Sequence, residues 1–260
     1  GTGRLYVQKK EKKNIKSLTE FKRQVGYVDC MAAESNEKLM LNWFQIQTLK
    51  SLQEQQRTGK VEKSLLLKTV ESAICKCFER ISGSKNADIV FDLDTHRLVL
   101  NFEGTDGSLQ KFAMDEMSDG YKNTLSMIGD IAYRMAVLNP MLGDKVLEET
   151  TGVVVIDEID LHLHPQWQQT IISDLNTIFP KIQFIVSSHA PAVINSVAKE
   201  QIRILDNGEI YMPAAQTYGR DANSILREVM KVSERPADIK QRIYSIHIWM
   251  KIIIKKQIRY

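Results

Sequence analysis

The chain has 260 residues, 43% hydrophobic and 26% charged, which is enough apolar mass for a full core and excludes a disordered chain. Thirty-five lysines and arginines against 32 aspartates and glutamates leave a formal charge of +3, too small a balance to argue for or against nucleic acid. Three cysteines (Cys30, Cys75 and Cys77) exclude a disulfide framework, no apolar run reaches membrane-spanning length, and the lysine-rich start has no apolar signal core, so a reduced, cytoplasmic protein is expected.

In chain order, residues 4–8 read as a short strand. Lys9, Lys10, Lys12, Lys13 and Lys16 follow as a solvated basic loop, with a phosphate-backbone contact as the alternative. Residues 34–81 have helical spacing through Leu39, Trp43, Ile46, Leu49 and Leu52, a polar break at 53–60, then Leu65, Val70, Ile74, Cys77, Phe78 and Ile81. A helical hairpin or arm beside a sheet is expected there, with Met40 and Trp43 in the core and Cys75 and Cys77 as packed thiols. From residue 88 the period drops to two, and strands at 89–93, 97–102 and 109–114 make an antiparallel meander with His96 in an exposed turn.

The stretch MSDGYKN, Met117 to Asn123, opens an amphipathic helix that presents Tyr121, Leu125, Ile128, Ala132 and Met135 on one face and ends at Asn139-Pro140. Ser118 is its natural N-cap. The free N–H groups and dipole at that start favour an anion, and Gly120 would let a phosphate approach the backbone.

The most informative stretch is GVVVIDEIDLHLHP, residues 152–165. Its run of branched residues does not alternate, which suits a strand covered on both faces in a parallel sheet, and ligands of such sheets gather at the carboxyl ends, where Asp157 and Glu158 stand. Residues 166–178 read as a helix through Trp167, Ile171, Leu175 and Ile178, and Phe184, Ile185 and Val186 form a second buried run leading to Ser187, Ser188 and His189. Strand, crossover helix and strand make a right-handed unit with parallel strands, about 4.8 Å apart if neighbours. Asp157, Glu158 and His189 would then converge at one sheet edge. Chemically, the first acid could hold Mg²⁺, the second orient or deprotonate an attacking water, and the imidazole touch a terminal phosphate. Ordinary loop acids and a strand-end histidine are the bland reading, disfavoured because two such ends joined by one crossover are uncommon. A rival assigns His162 and His164, with Asp157 and His189, to a metal-dependent phosphoesterase or nuclease. It ranks second because it leaves MSDGYKN unexplained.

MSDGYKN resembles the signature motif of ABC-type ATPases, VVVIDEID their Walker B strand with its catalytic glutamate, and FIVSSHAP their switch-histidine segment. DEIDLHLHP is similar to a block of the SMC, RecF and OLD-like group, and YGRDANSILREVM with the opening GTGRL resembles the PtuA ATPases of Septu and retron-associated anti-phage systems; the likeness runs from Gly1 to about Gln241. The resemblance implies an α/β P-loop NTPase of the ABC head type, with a mainly parallel sheet, flanking helices, a helical arm and a small β-meander. It implies that Asp157 positions Mg²⁺, Glu158 is the general base and His189 contacts the γ-phosphate of ATP. Ser118 and Gly120 would reach the ATP of an opposing subunit, and Asp160 would lie in the loop between the two sites. A homodimer with composite ATP sites and an HNH nuclease of the PtuB kind are the implied partners; a retron reverse transcriptase with its msDNA, or DNA, are further candidates, and no membrane is implied.

The expected division is 1–33, start of the lobe and basic loop; 34–81, helical arm; 82–217, ATPase head; 218–260, helical extension. Either the arm or the segment after Tyr218 could dock a partner. One departure stands out: the chain has no G-x-x-x-x-G-K-[ST] phosphate cradle, since Gly59-Lys60 is followed by Val61, and no Q-loop glutamine can be assigned. A larger ATPase whose nucleotide-binding start lies upstream, or a degenerate scaffold subunit, would each account for this. The opening on Gly-Thr-Gly favours the first, under which this polypeptide alone is expected to be inactive. Pro236 breaks a short helix at 224–232, and the Ile- and Lys-rich tail after Gln241 reads as an amphipathic helix in which His247 and Trp249 pack.

Overall fold

The computed structural model describes residues 37–59, 63–232, 238, 239 and 241. The expected strand at 4–8, the lysine cluster, Cys30, Pro236 and the tail with His247 and Trp249 lie outside them. The chain divides into two compact units, Gly1–His189 and Ala190–Tyr260.

The first unit begins with α1, Glu37–Thr58, and α2, Leu65–Ser82. Ser64 caps α2 by accepting the Leu67 N–H at 3.2 Å, and Gly83, left-handed at φ +72°, closes it by donating its N–H to Glu79 O. Of the apolar face read from the sequence, Val70, Ile74, Cys77, Phe78 and Ile81 are buried; Leu65 is only half-buried, and Leu67 takes the buried place in the first turn. This face packs on α3, Asp119–Leu138, whose Leu125, Ile128, Ala132 and Met135 are buried in turn. Trp43 of α1 meets Phe44 and Tyr133 edge-on, at 5.1 and 5.3 Å between centroids. An antiparallel sheet of β1 (Lys85–Asp92), β2 (Arg97–Glu103) and β3 (Leu109–Ala113) lies against α1 and α2. β1 starts earlier than its apolar pattern suggests because Lys85 pairs with Glu103 across a bulge, and a polar strand end leaves no alternation to read.

After α4, Val146–Glu149, comes the crossover unit: β4 (Gly152–Ile156), α5 (Pro165–Gln168), α6 (Ile171–Ile178) and β5 (Ile182–Val186). β4 and β5 are hydrogen-bonded neighbours and parallel, with Gly152 opposite Ile182 and Ile156 opposite Val186. Two expectations need correction. The helix expected over 166–178 is two pieces, because the Thr170 N–H donates to Trp167 O, three residues back instead of four, and breaks the ladder. The expectation that β4 is covered on both faces also fails among the described residues: Ile156 and Ile182 are buried on one face, whereas Val153, Val155 and Ile185 are 59%, 72% and 53% exposed on the other.

The second unit holds α7 (Pro191–Ile194), the hairpin of β6 (Ile204–Asp206) and β7 (Glu209–Tyr211), and α8 (Ala222–Ser224). Asn207 and Gly208, at φ +48° and +85°, supply the two positive dihedrals a tight hairpin turn requires. Asp221 caps α8, and the helix expected at 224–232 widens over Ile225–Val229, where the Met230 N–H bonds to the carbonyl five residues back. Ile225 and Val229 are its buried residues.

Candidate functional site

β4 does not simply end at Ile156. The Ser187 N–H donates to Ile156 O at 2.9 Å, and Ser187 O accepts the Ile159 N–H at 3.0 Å, so the parallel ladder continues past both strands and ties the acidic turn to β5. Between these backbone bonds, the Ser187 hydroxyl donates to Asp157 Oδ1 at 2.5 Å and accepts the Glu158 N–H at 2.8 Å. Glu158 is left-handed, φ +52°, a conformation that costs an L-residue about 1–2 kcal/mol and persists only where neighbours impose it. Buried Ile159, 5% exposed, anchors the turn from beneath. Asp157 is exposed and Glu158 half-buried at the sheet edge.

Asp160 and His189 are also brought together, through the backbone of one and the side chain of the other: the His189 N–H donates to Asp160 Oδ1 at 3.3 Å, and the His189 ring is exposed. The loop continues in tight turns, Leu161 N–H to Glu158 O and Leu163 N–H to Asp160 O, with His162 left-handed at φ +63°. His164 then caps α5, its Nδ1 accepting the Gln166 N–H at 3.3 Å, with Pro165 in the first helical position. The Gln168 amide reaches back to Leu163 O at 3.1 Å. His164 is thus engaged as a helix cap, and no observation favours the His162/His164 metal reading: among the described residues no three His, Cys, Asp or Glu side chains gather as a metal cage.

The start of α3 meets this loop. Ser118 stands at the N-cap position with φ −63° and ψ 156°, but its hydroxyl makes no capping bond. Gly120 is buried, and a Cβ there would lie 2.6 Å from the His162 carbonyl oxygen and 3.3 Å from the Trp167 ring. The backbone that Gly120 is seen to admit is that of the loop after β4. Tyr121 stacks edge-on against Trp167 at 4.3 Å and lies 5.8 Å from Phe78. The MSDGYKN helix start is therefore packed on the loop and short helix that follow the acidic strand end.

The carboxylate set can be tested against the ions that phosphate chemistry uses. One exposed aspartate, oriented by a hydroxyl at a strand end, is the donor Mg²⁺ takes when its other ligands are water and phosphate oxygens. The cysteines stand apart. Burial pushes the Cys75 and Cys77 thiols up to about 12 from an ordinary 9.0, which makes them inert packing groups. Sequence reasoning missed Ser187 and Trp167 as parts of the site. A hydroxyl directly after a buried strand, level with the acid that ends its parallel neighbour, was the available signal for the first.

A family described as "AAA domain, putative AbiEii toxin, Type IV TA system" matches residues 38–195, more than half of the chain. Among curated proteins, the chain is 38% identical to "Retron Vc95 probable ATPase" of Vibrio cholerae serotype O1 biovar El Tor, over 54% of this chain and 27% of that protein. It is 34% identical to "Retron Ec83 probable ATPase" of Escherichia coli, over 74% of this chain and 33% of that protein. The Septu protein PtuA of Bacillus mycoides (strain KBAB4) is 36% identical over 37% of this chain and 13% of that protein. The chain therefore spans a third or less of the length of these relatives. Of solved structures, an SMC ATPase matches 63% of this chain and 88% of its own at 13% identity, with a TM-score of 0.37.

Proposed function

Because the chain belongs to this AAA-domain family, and with it to the α/β P-loop NTPases, we propose that it is an ATP-binding and ATP-hydrolysing component of an anti-phage defence system. The retron and Septu relatives support the setting, since two are named probable ATPases and a third is PtuA. The observation that carries the reading is the parallel pairing of β4 and β5, which sets Asp157 level with Ser187 and gathers Glu158, Asp160 and His189 around one sheet edge.

In this reading Asp157 would hold a Mg²⁺ ion, which neutralises developing charge on the phosphate oxygens when bound. Glu158 takes a proton from the water that attacks the γ-phosphorus, and ADP leaves as the bond to its β-phosphate oxygen breaks. The exposed imidazole of His189 donates a hydrogen bond to a γ-phosphate oxygen. Ser118, whose hydroxyl is not spent on a cap, serves the nucleotide of a second copy, and Asp160 lies between the two sites of that homodimer. Gly120 contributes by packing. The 260 residues include no G-x-x-x-x-G-K-[ST], so these roles concern only the side of the nucleotide that Asp157, Glu158 and His189 would serve. By analogy with Septu, an HNH nuclease is the proposed partner, docking on residues 34–81 or 218–260.

Glu158→Gln tests the proposal in the full-length protein, since the 260 residues alone are expected to be inactive. Loss of a general base lowers turnover about 10²- to 10⁴-fold. Phosphate release should fall accordingly while labelled ATP still binds, and ATP should shift the variant to a dimer in light scattering. Turnover equal to that of the unaltered protein would remove Glu158 from the chemistry; an unaltered protein with no turnover would remove the ATPase reading.

A further inference from the structure

We propose that Ser187 is a positioning residue that sets both acids of the site through a single hydroxyl; its effect on catalysis rests on the ATPase reading above, its geometry does not. Ser187 has three separable attachments. Its N–H and C=O carry the ladder to Ile156 and Ile159, and these backbone bonds are made whatever side chain stands at this position. The hydroxyl is therefore surplus to the sheet. It lies on an exposed residue, where a serine ordinarily turns to water, yet it spends its one proton on Asp157 Oδ1 at 2.5 Å and a lone pair on the Glu158 N–H at 2.8 Å.

The two bonds are directional and linked. Glu158 N–H to Ser187 Oγ, and Ser187 O–H to Asp157, form a short chain in which each bond polarises the next. One end fixes which oxygen of Asp157 faces the sheet. The opposite end holds the peptide of Glu158 in its left-handed conformation, φ +52°, which determines where the Glu158 carboxylate is carried. Asp157 and Glu158 are adjacent, so a backbone turn relaxing toward right-handed geometry would swing one acid away from the other. No other described side chain is bonded to both residues' acid-bearing turn in this way. Positioning to within about 1 Å is worth about a hundredfold in rate where two groups must act on one substrate.

The test compares Ser187→Ala and Ser187→Thr in the intact protein, reading amide hydrogen exchange at Glu158 by NMR alongside ATP turnover and ATP affinity. Ser187→Ala should speed exchange of the Glu158 amide about five- to tenfold, the factor of one lost hydrogen bond. The amides of Val154 and Val155 should be unchanged, which excludes general unfolding. The kcat should fall about ten- to a hundredfold with ATP affinity within about twofold, and Ser187→Thr, which keeps the hydroxyl, should restore both readouts. An unchanged Glu158 amide in Ser187→Ala overturns the proposal, as does a loosened amide with full kcat. If the unaltered protein has no ATP turnover, the ATPase reading fails, and the amide alone decides whether Ser187 holds the turn.

Discussion

Replacing Gly120 by alanine separates the two accounts of the MSDGYKN glycine. The added Cβ would stand 2.6 Å from the His162 carbonyl oxygen and 3.3 Å from the Trp167 ring. Carbon–oxygen contacts settle at about 3.3 Å or more, so the backbone has to yield by about 0.7 Å. Overpacking of this kind costs about 1–3 kcal/mol. Against it stands the helix propensity of alanine over glycine, at most about 1 kcal/mol and less at the second residue of α3 than in its middle. The steric effect wins because the opposing atom is backbone, held by the Leu163 N–H to Asp160 O turn on one side and the His164 cap on the other. A net loss of about 1–2 kcal/mol is expected, read as a lower urea midpoint with an unchanged slope. ATP affinity should move little. Were Gly120→Ala to leave the midpoint in place and weaken only ATP binding, the packing argument would fail and close approach of a phosphate would be the better account.

Two further predictions concern the core. Arg80 Nε on α2 pairs with Asp174 Oδ1 on α6 at 2.5 Å, and the Asp174 side chain is 3% exposed against 38% for Arg80. Arg80→Met should cost about 3 kcal/mol in urea unfolding, the low end for a broken buried pair because Arg80 is partly in water, and adding Asp174→Leu should recover most of it; strictly additive losses in the double variant would refute the coupling. Burial raises the folded-state pKa of Cys75 and Cys77 to about 12 from an ordinary 9.0. Their contribution to stability is then complete below pH 9 and lost as pH rises toward 12, because the unfolded thiols ionise first. The urea midpoint should fall above pH 9 and fall less in the Cys75→Ala/Cys77→Ala variant; equal slopes for the two proteins would refute the assignment.

The elements were legible where side-chain type alone decides the outcome. VVVI and FIV are rich in strand-forming residues, and one crossover between them favours a parallel pairing, so β4 and β5 follow from composition and handedness although Val153, Val155 and Ile185 are exposed. The interior of α2 follows from period in the same way. Features that depend on backbone dihedrals were not legible. Nothing about a glutamate or a histidine announces a left-handed residue, yet Glu158 and His162 both adopt it, at φ +52° and +63°. The break after Trp167, the cap by His164 and the approach of the His162 carbonyl to Gly120 are similarly consequences of how the loop folds back.

Those two left-handed residues also explain why the loop acts as one body. Each costs about 1–2 kcal/mol if left to itself, and a chain of ordinary residues would relax out of both. Glu158 is kept there by the Ser187 hydroxyl, and His162 lies within the turn that the Leu163 N–H closes on Asp160 O, with Gly120 packed on its carbonyl. Asp160 sits between the two strained positions and accepts the His189 N–H. The start of the signature-like helix is thus packed on the loop that follows the acids within a single chain.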